Sequence, residues 1–476
     1  FAYVDFQFNI NSKIVEAIFP QVRFDPGTSL EGSIVANENY FRLNFISPEI
    51  EAYNNVFTNI NLQIDNKDPL LNTLVNVEKI KTPIYEASDL EIINQTQNDT
   101  LFIKANAVGG KNNQDKFQLK LYQTSTDQNE LIFGLEKSNF KIKDYQWEIQ
   151  KEKQQNNRLV IGENFQNIEF DSIVASHKNS FVKLNGIVRD STYKNVSLDF
   201  NEVQLATITP TIDSLALAGI VNGKAYLFQD QGEYQPNIDF NIVDFSVNQT
   251  PLGKLALFAN GKQGLENFDI KAALTRKNDT LFKTKGEIYK QNKTQFINAK
   301  LYTNNLDLSM FSPLGGDVIS KMRGRLTGEV AVTNRLNAPN LEGTLLLQKG
   351  GLQIPYLNID YDFLGNTEIN VLKNAFIFTE VKLKDTNYES TARLDGLIGH
   401  NNYSDWELDL NISGANFVAL DTEFEDGKLY YGTAFITGYA EIIGPTDDLE
   451  INVNATTNKN TLFRIPLDDS EFLTDA

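Results

Sequence analysis

Few residues in this chain are of a type that does chemistry. Its 476 residues include two histidines, His177 and His400, and no cysteine. Without thiols there are no disulfide staples, zinc–thiolate sites, iron–sulfur clusters or cysteine nucleophiles. The two imidazoles lie far apart, His177 beside Lys178-Asn179 and His400 between Gly399 and Asn401. They read as exposed loop residues, and neither has the partners of a Ser/His/Asp triad or a histidine metal cluster. The run Asp421-x-Glu423-x-Glu425-Asp426-Gly427 faintly echoes a calcium loop. An EF-hand loop requires Gly at its sixth position, a bidentate Glu at its twelfth and flanking helices. Here the Gly comes one position late, the twelfth position is Gly432, and the neighbours alternate like strands. A solvated acidic turn is the better reading. Asn-x-Thr/Ser triplets such as Asn98-Asp99-Thr100 read as turn chemistry. The expectation is a protein that is not an enzyme and carries no metal or cofactor.

The charge balance narrows the partners. Lys+Arg 43 against Asp+Glu 62 leaves a net charge of -19. Phosphate backbones and flat anionic membrane surfaces would be repelled, and no basic stripe with interleaved aromatics offsets this, so no nucleic-acid partner is expected. No apolar run approaches the roughly 18 residues that span a bilayer as a helix. The chain opens on Phe1, already alternating, which reads as a piece of something longer with an anchor or export signal upstream.

The dominant pattern has period two. Phe41, Leu43 and Phe45 flank Arg42 and Asn44, and Ile60, Leu62 and Ile64 flank Asn61 and Gln63. Trp406, Leu408, Leu410 and Ile412 flank Glu407, Asp409 and Asn411, and Leu449, Ile451, Val453 and Ala455 flank Glu450, Asn452 and Asn454. In a strand this puts apolar side chains on one face and polar ones on the other. Turn clusters such as Asn112-Asn113, Lys277-Asn278-Asp279 and His400-Asn401-Asn402 separate the runs. One short helix is expected around residues 311–322, interrupted by Pro313 and Gly315-Gly316. The fold class is all-β: antiparallel sheet, one face wet and one apolar. Roughly 25–40 strands without covering helices could form several sandwiches, a large barrel, or one elongated sheet curled on itself. No long linker separates domains, strand lengths vary, and the curled sheet fits best. A sandwich core remains the alternative explanation of the apolar faces.

Internal echoes support extension by duplication. Gly219-x3-Gly223, Gly324-x3-Gly328 and Gly438 each precede a strand and then a proline, with Gly223, Gly328 and Gly438 at comparable intervals. They divide the chain into residues 1–210, 211–305, 306–415 and 416–476, each block contacting mainly its neighbours.

Two stretches carry a family resemblance. Leu306-Asp307-Leu308-Ser309-Met310-Phe311-Ser312-Pro313, Met322-Arg323-Gly324-Arg325-Leu326-Thr327-Gly328 and Pro339-Asn340-Leu341-Glu342-Gly343 resemble the recurring core of the TamB family within the AsmA-like group. Tyr431-Gly432-Thr433-Ala434 through Gly444-Pro445-Thr446-Asp447, then Thr461-Leu462-Phe463-Arg464-Ile465-Pro466-Leu467, resembles its carboxy-terminal region, with a further strand expected after Leu467. The resemblance implies a β-taco, a U-shaped sheet with a hydrophobic groove. It also implies inner-membrane anchoring, passage across the periplasm, an Omp85-type (TamA-like) outer-membrane barrel partner, and carriage of phospholipid in outer-membrane biogenesis.

In such a groove the expected lining includes Val330, Val332, Leu341, Leu345, Leu347, Leu408, Leu410, Ile412, Ile451 and Val453. Burying an acyl chain gains about 0.8 kcal/mol per methylene, so a sixteen-carbon chain gains on the order of 10 kcal/mol. A uniform lining offers no deep minimum, and lipid could slide along it. The last strands leave a backbone edge, with Leu449, Ile451, Val453, Phe463 and Ile465 as the expected partner-binding positions. Residues beyond Ala476 could cover that edge instead. The alternative function is a scaffold or assembly factor for outer-membrane proteins without lipid transport.

Overall fold

The computed structural model describes residues 3–10, 12–67, 72–83, 85–149, 156–162, 166–209, 216–262, 265–292, 294–316, 318–425 and 430–466. It is 75% strand and 6% helix, with 32 strands in antiparallel sheet among the described residues. The chain divides into two compact units, Phe1–Pro210 with Ile220–Phe240, and Thr211–Gly219 with Asn241–Ala476. The expected boundary at 210/211 lies outside the described residues, and that at 415/416 falls inside the strand Ser404–Thr422.

In each unit strands adjacent in sequence are mostly adjacent in space; Val22–Phe24, which pairs with Tyr40–Ala52, is an exception. The first unit runs Tyr3–Asn9, Ser29–Val35, Tyr40–Ala52, Asn55–Asp65, Asn72–Lys81, Glu86–Gln97, Thr100–Gly109 and Asp115–Ser125, each paired with the next. Two rungs are then split. Leu131–Leu135 and Ser138–Ile142 lie along Asp115–Ser125, and Arg158–Ile161 and Tyr145–Ile149 pair with them in turn. Asn167–His177 spans both halves and leads to Ser180–Arg189 and Tyr193–Gln204. The second unit runs from Thr250–Gly261 through Ser320–Arg335 and Ala338–Ile354 to a split rung, Ile359–Phe363 plus Asn366–Leu372. Ala375–Asp385, Thr391–Asn401, Ser404–Thr422 and Tyr431–Pro445 follow, and a last split rung is Glu450–Thr457 plus Leu462–Arg464.

Short turns close these hairpins. Asn98 and Asp99 have φ of 48° and 56°, the doubly left-handed geometry that matches strand twist and that Asn and Asp tolerate best. The helical content differs from expectation in two places. Ser12–Ile18 is a helix, with the Ser12 hydroxyl bonded to Glu16 one turn on. The expected helix near 311–322 is a 3₁₀ segment, Leu308–Gly315, whose Asp307 cap accepts from the Ser309 N–H at 3.0 Å. Gly315-Gly316 ends it, and Met322 already lies in the strand Ser320–Arg335.

The glycines of the internal echoes have a physical role. In five strand pairs the register shifts opposite a glycine: beyond Phe170↔Gly186, Phe200↔Gly223, Thr303↔Gly328, Phe378↔Gly396 and Gly414↔Gly438. Each shift places two residues against one. The second of the two is left-handed: Ser172, Glu202, Asn305, Glu380 and Asn416, with φ from 51° to 54°. Its N–H donates to the side chain opposite, at 2.9 Å on Asn222, 3.0 Å on Thr327, 2.7 Å on Asp395 and 3.0 Å on Thr437. Each glycine has φ between 140° and 157°. A Cβ at Gly396 would lie 2.1 Å from the Asp409 carbonyl oxygen, and one at Gly328 would lie 2.3 Å from that of Thr344. These are β-bulges, which bend the strand and sharpen its twist.

Gly396→Ala is expected to cost about 1–3 kcal/mol through backbone strain and the carbonyl clash. Gly399→Ala, three residues on, would meet nothing closer than 3.7 Å and should be near neutral. Urea-unfolding midpoints of the two variants compare them.

Candidate functional site

Directly paired residues share a face of a sheet, so the registers trace the interior without further assumption. In the second unit one row runs Leu345, Ile369, Phe378, Gly396, Leu410, Ile442 and Ile451 from rung to rung. It continues backward through Gly328 to Thr303. Around this row the sheet encloses a cavity of about 540 Å³, within the size range of ligand pockets. Its walls include Leu352, Tyr361, Phe363, Leu383, Leu394, Leu408, Leu410, Ile412 and Ile442.

Strands several rungs apart meet across this interior, so the sheet is curled. The buried Tyr361 hydroxyl donates to the Val418 carbonyl at 2.9 Å. Burial holds the Tyr361 phenol well above its usual pKa, so it remains a donor. Asn358 Nδ2 donates to the Asp421 carbonyl at 2.7 Å, the Tyr356 and Tyr430 hydroxyls meet at 2.9 Å, and Tyr403 reaches the Pro339 carbonyl at 2.9 Å.

The ten expected lining residues divide by depth. Val330 and Leu347 are 2% exposed, and Leu408, Leu410 and Ile412 are 4%, 7% and 4%. Glu407 and Asp409, which flank Leu408, are exposed. Val332, Leu341 and Leu345 are partly buried, with Val332 paired to Leu341 and Leu345 to Gly328. Ile451 lines the cavity, whereas Val453 is 57% exposed although it lies opposite the buried Ala440. Its strand is hydrogen-bonded on one side only among the described residues, none of which pairs along its other side.

The same holds for the other edge positions. Phe463 lies opposite Gly432 and is 50% exposed, and Ile465 is 64% exposed. Leu449 sits just before the strand and lines the cavity, and Leu467 lies outside the described residues. Tyr356, Tyr361, Phe363, Leu383 and Tyr430 also line the site and were absent from the expected lining. Ile359-Asp360-Tyr361-Asp362-Phe363 alternates legibly. Leu383 is harder to place, because the bulge at 379–380 moves the interior from even to odd positions.

His400 corrects the sequence reading. It is 8% exposed, in the strand Thr391–Asn401, and packed against the rings of Tyr403, Trp406 and Phe376 at 4.5, 5.3 and 5.7 Å. Its Nδ1 accepts from the Tyr403 N–H. Asn401 ends the strand and Asn402 begins the turn, while the imidazole stacks on the Tyr403 ring. His177 ends the strand Asn167–His177, partly buried, with Nδ1 beside the Gln146 carbonyl at 2.5 Å. At the acidic run, Asp421 Oδ1 accepts from the Tyr388 and Thr433 hydroxyls, while Asp426 and Gly427 lie outside the described residues.

Fold and site together define an all-β protein whose curled antiparallel sheet encloses an apolar cavity. Residues 381–476 match the family model described as TamB, the TamB C-terminal domain. The match contains Leu408, Leu410, Ile412 and the whole edge segment; the core-like stretch from Leu306 to Gly343 precedes it. No curated protein and no solved structure matches the chain. Among the described residues no helix is long and apolar enough to cross a membrane, which leaves β-barrel spanning unaddressed.

Burial lowers the His400 pKa below its ordinary 6.5, because desolvation penalises the imidazolium. The unfolded chain then binds the proton more readily than the folded one, so the His400 contribution to stability is constant above pH 6.5 and falls as pH drops below it. His400→Gln should flatten that acid-side loss in urea titrations, and the His400 resonance should titrate with a midpoint below 6.5.

Proposed function

We propose that this chain is the groove-bearing part of a TamB-type protein of outer-membrane biogenesis, carrying phospholipid acyl chains along an apolar interior without a catalytic step. The observation that carries the reading is the cavity lined by Leu408, Leu410 and Ile412 inside the segment that matches the TamB C-terminal domain. The acyl chain leaves water inside the curl while the headgroup stays at its rim. Transport is one-dimensional sliding over aliphatic side chains, driven by gradients supplied elsewhere. On this reading the protein is anchored in the inner membrane and crosses the periplasm to an Omp85-type (TamA-like) barrel partner. That partner docks on the edge strands Glu450–Thr457 and Leu462–Arg464, which among the described residues pair on one side only and whose exposed Val453, Phe463 and Ile465 suit β-augmentation.

The second reading, a scaffold without lipid transport, draws on how completely protein atoms cover Val330 and Leu347. Photo-crosslinkers at Leu408, Leu410 and Ile412 separate the two. Lipid adducts from all three positions in cells are expected of a conduit, and a folded protein with none would overturn it. Leu410→Asp should abolish function, since an unpaired buried carboxylate costs several kcal/mol, whereas Asp409→Asn should be silent. For the partner, cysteine pairs between residues 451–465 and an exposed strand of the barrel protein should form disulfides at alternate positions. Pairs forming only with the amino-terminal half of this chain would place docking elsewhere.

A further inference from the structure

We propose that the cavity of the second unit selects amphiphiles whose headgroup ends in an ammonium, through the Asp447 carboxylate at its rim, and disfavours anionic headgroups. The inference rests on the acyl-binding reading above and adds a headgroup preference to it. The cavity is lined mainly by aliphatic and aromatic side chains, to which the strand Tyr431–Pro445 contributes Ile442, and the residues flanking that strand in sequence bring polar groups to the lining. Before it stand the Tyr356 and Tyr430 hydroxyls, which satisfy each other at 2.9 Å and carry no charge. After it come Thr446 and Asp447, in the turn that leads to Leu449 and Ile451. The turn is held by the Thr446 N–H on the Trp406 carbonyl and the Asp448 N–H on the Pro445 carbonyl, both at 2.9 Å. Asp447 is exposed, and it is the one charged side chain among the described residues that line the cavity. No lysine or arginine among those lining residues offers a phosphate a counter-charge.

The surroundings reinforce this sign. Residues 381–476 hold 18 Asp and Glu against 6 Lys and Arg, so the potential around the rim is negative. An acyl chain seated against Leu410, Ile442 and Ile451 would bring its headgroup to this turn. A terminal ammonium there meets a carboxylate, while a headgroup whose only charge is its phosphate meets repulsion. At about 4 Å in water such a pair is worth about fivefold in affinity, and salt should screen it.

The test titrates the 476-residue chain at pH 7 with lysophosphatidylethanolamine and lysophosphatidylglycerol of one acyl chain, both below their micelle concentrations, by calorimetry. The expected result is a preference of about fivefold for the ethanolamine lipid, shrinking in 0.5 M salt. Asp447→Asn should shrink the preference to the part the surrounding negative field leaves, without weakening the glycerol lipid. Leu449→Trp, which intrudes on the cavity from the same turn, should weaken both lipids equally, with a circular dichroism spectrum confirming the fold. Equal affinities in the unmodified chain, or a preference undiminished by Asp447→Asn, would overturn the headgroup inference and leave the acyl-binding reading standing. Binding of neither lipid would overturn both.

Discussion

The structure depends on the pairing of a left-handed bulge with a glycine on the next strand. A sheet of uninterrupted period-two strands twists but does not turn a corner sharply, and its inner face would stay open to water. Inserting one residue bends the strand locally and flips which side chains point inward. In Ala375–Asp385 the interior passes from Phe376 and Phe378 to Val381 and Leu383; in Ser404–Thr422 it passes from Leu410 and Ile412 to Phe417. The glycine is needed because its positive φ turns the Cβ position against the strand on its other side, away from the bulge, where a Cβ would strike a carbonyl oxygen. The side chain opposite the bulge, Asn222, Thr327, Asp395 or Thr437, takes the N–H that the irregular ladder leaves unpaired. In the second unit the bulges at 304–305 and 379–380 fall beside one cross-strand row, so their bends reinforce each other.

The curl allows charge to be sorted by face. Arg323 bonds Asp360 and Asp362 at 2.7 Å each, and Arg325 bonds Asp307 at 2.7 Å. Asp360 and Asp362 alternate with the inward Tyr361 and Phe363. These partly exposed pairs contribute modestly to stability, and their main effect is to keep polar groups off the apolar face. At Asp385 a buried carboxylate is fully satisfied. Asp385, 2% exposed, accepts from the N–H groups of Asn387, Tyr388 and Ser390 and from the Ser390 hydroxyl. It thereby ends the apolar side of its strand by closing the turn to Thr391.

The cavity survives because hydrogen bonds, rather than close packing alone, hold its opposing walls. Tyr361 on Val418, Asn358 on Asp421 and Tyr356 on Tyr430 brace one side, and Tyr403 on Pro339 braces another. Aromatic side chains suit the purpose: each spans an apolar space and ends in a group that can hydrogen-bond a backbone or a second ring. A wall braced at a few points can part locally without unpairing its strands, as a lining that passes acyl chains along would require.

The sequence alone determined the class of fold and the sign of each face. Period-two alternation in Trp406–Ile412 or Phe41–Phe45 leaves little choice, because a one-residue slip would put every leucine in water. It also marked the glycines at 223, 328 and 438, and resemblance at the carboxy terminus agreed with the match over residues 381–476. Only the tertiary structure decided what those glycines do, since a bulge is defined by two strands and neither records the other's register. For the same reason His400 looked exposed among Asn and Gly yet is buried by Phe376, Trp406 and Tyr403. Tyr356 and Tyr430 gave no local sign of meeting across the cavity. Alternation reports which face a residue occupies; what lies opposite is set by the curl, a long-range property that no short window of sequence contains.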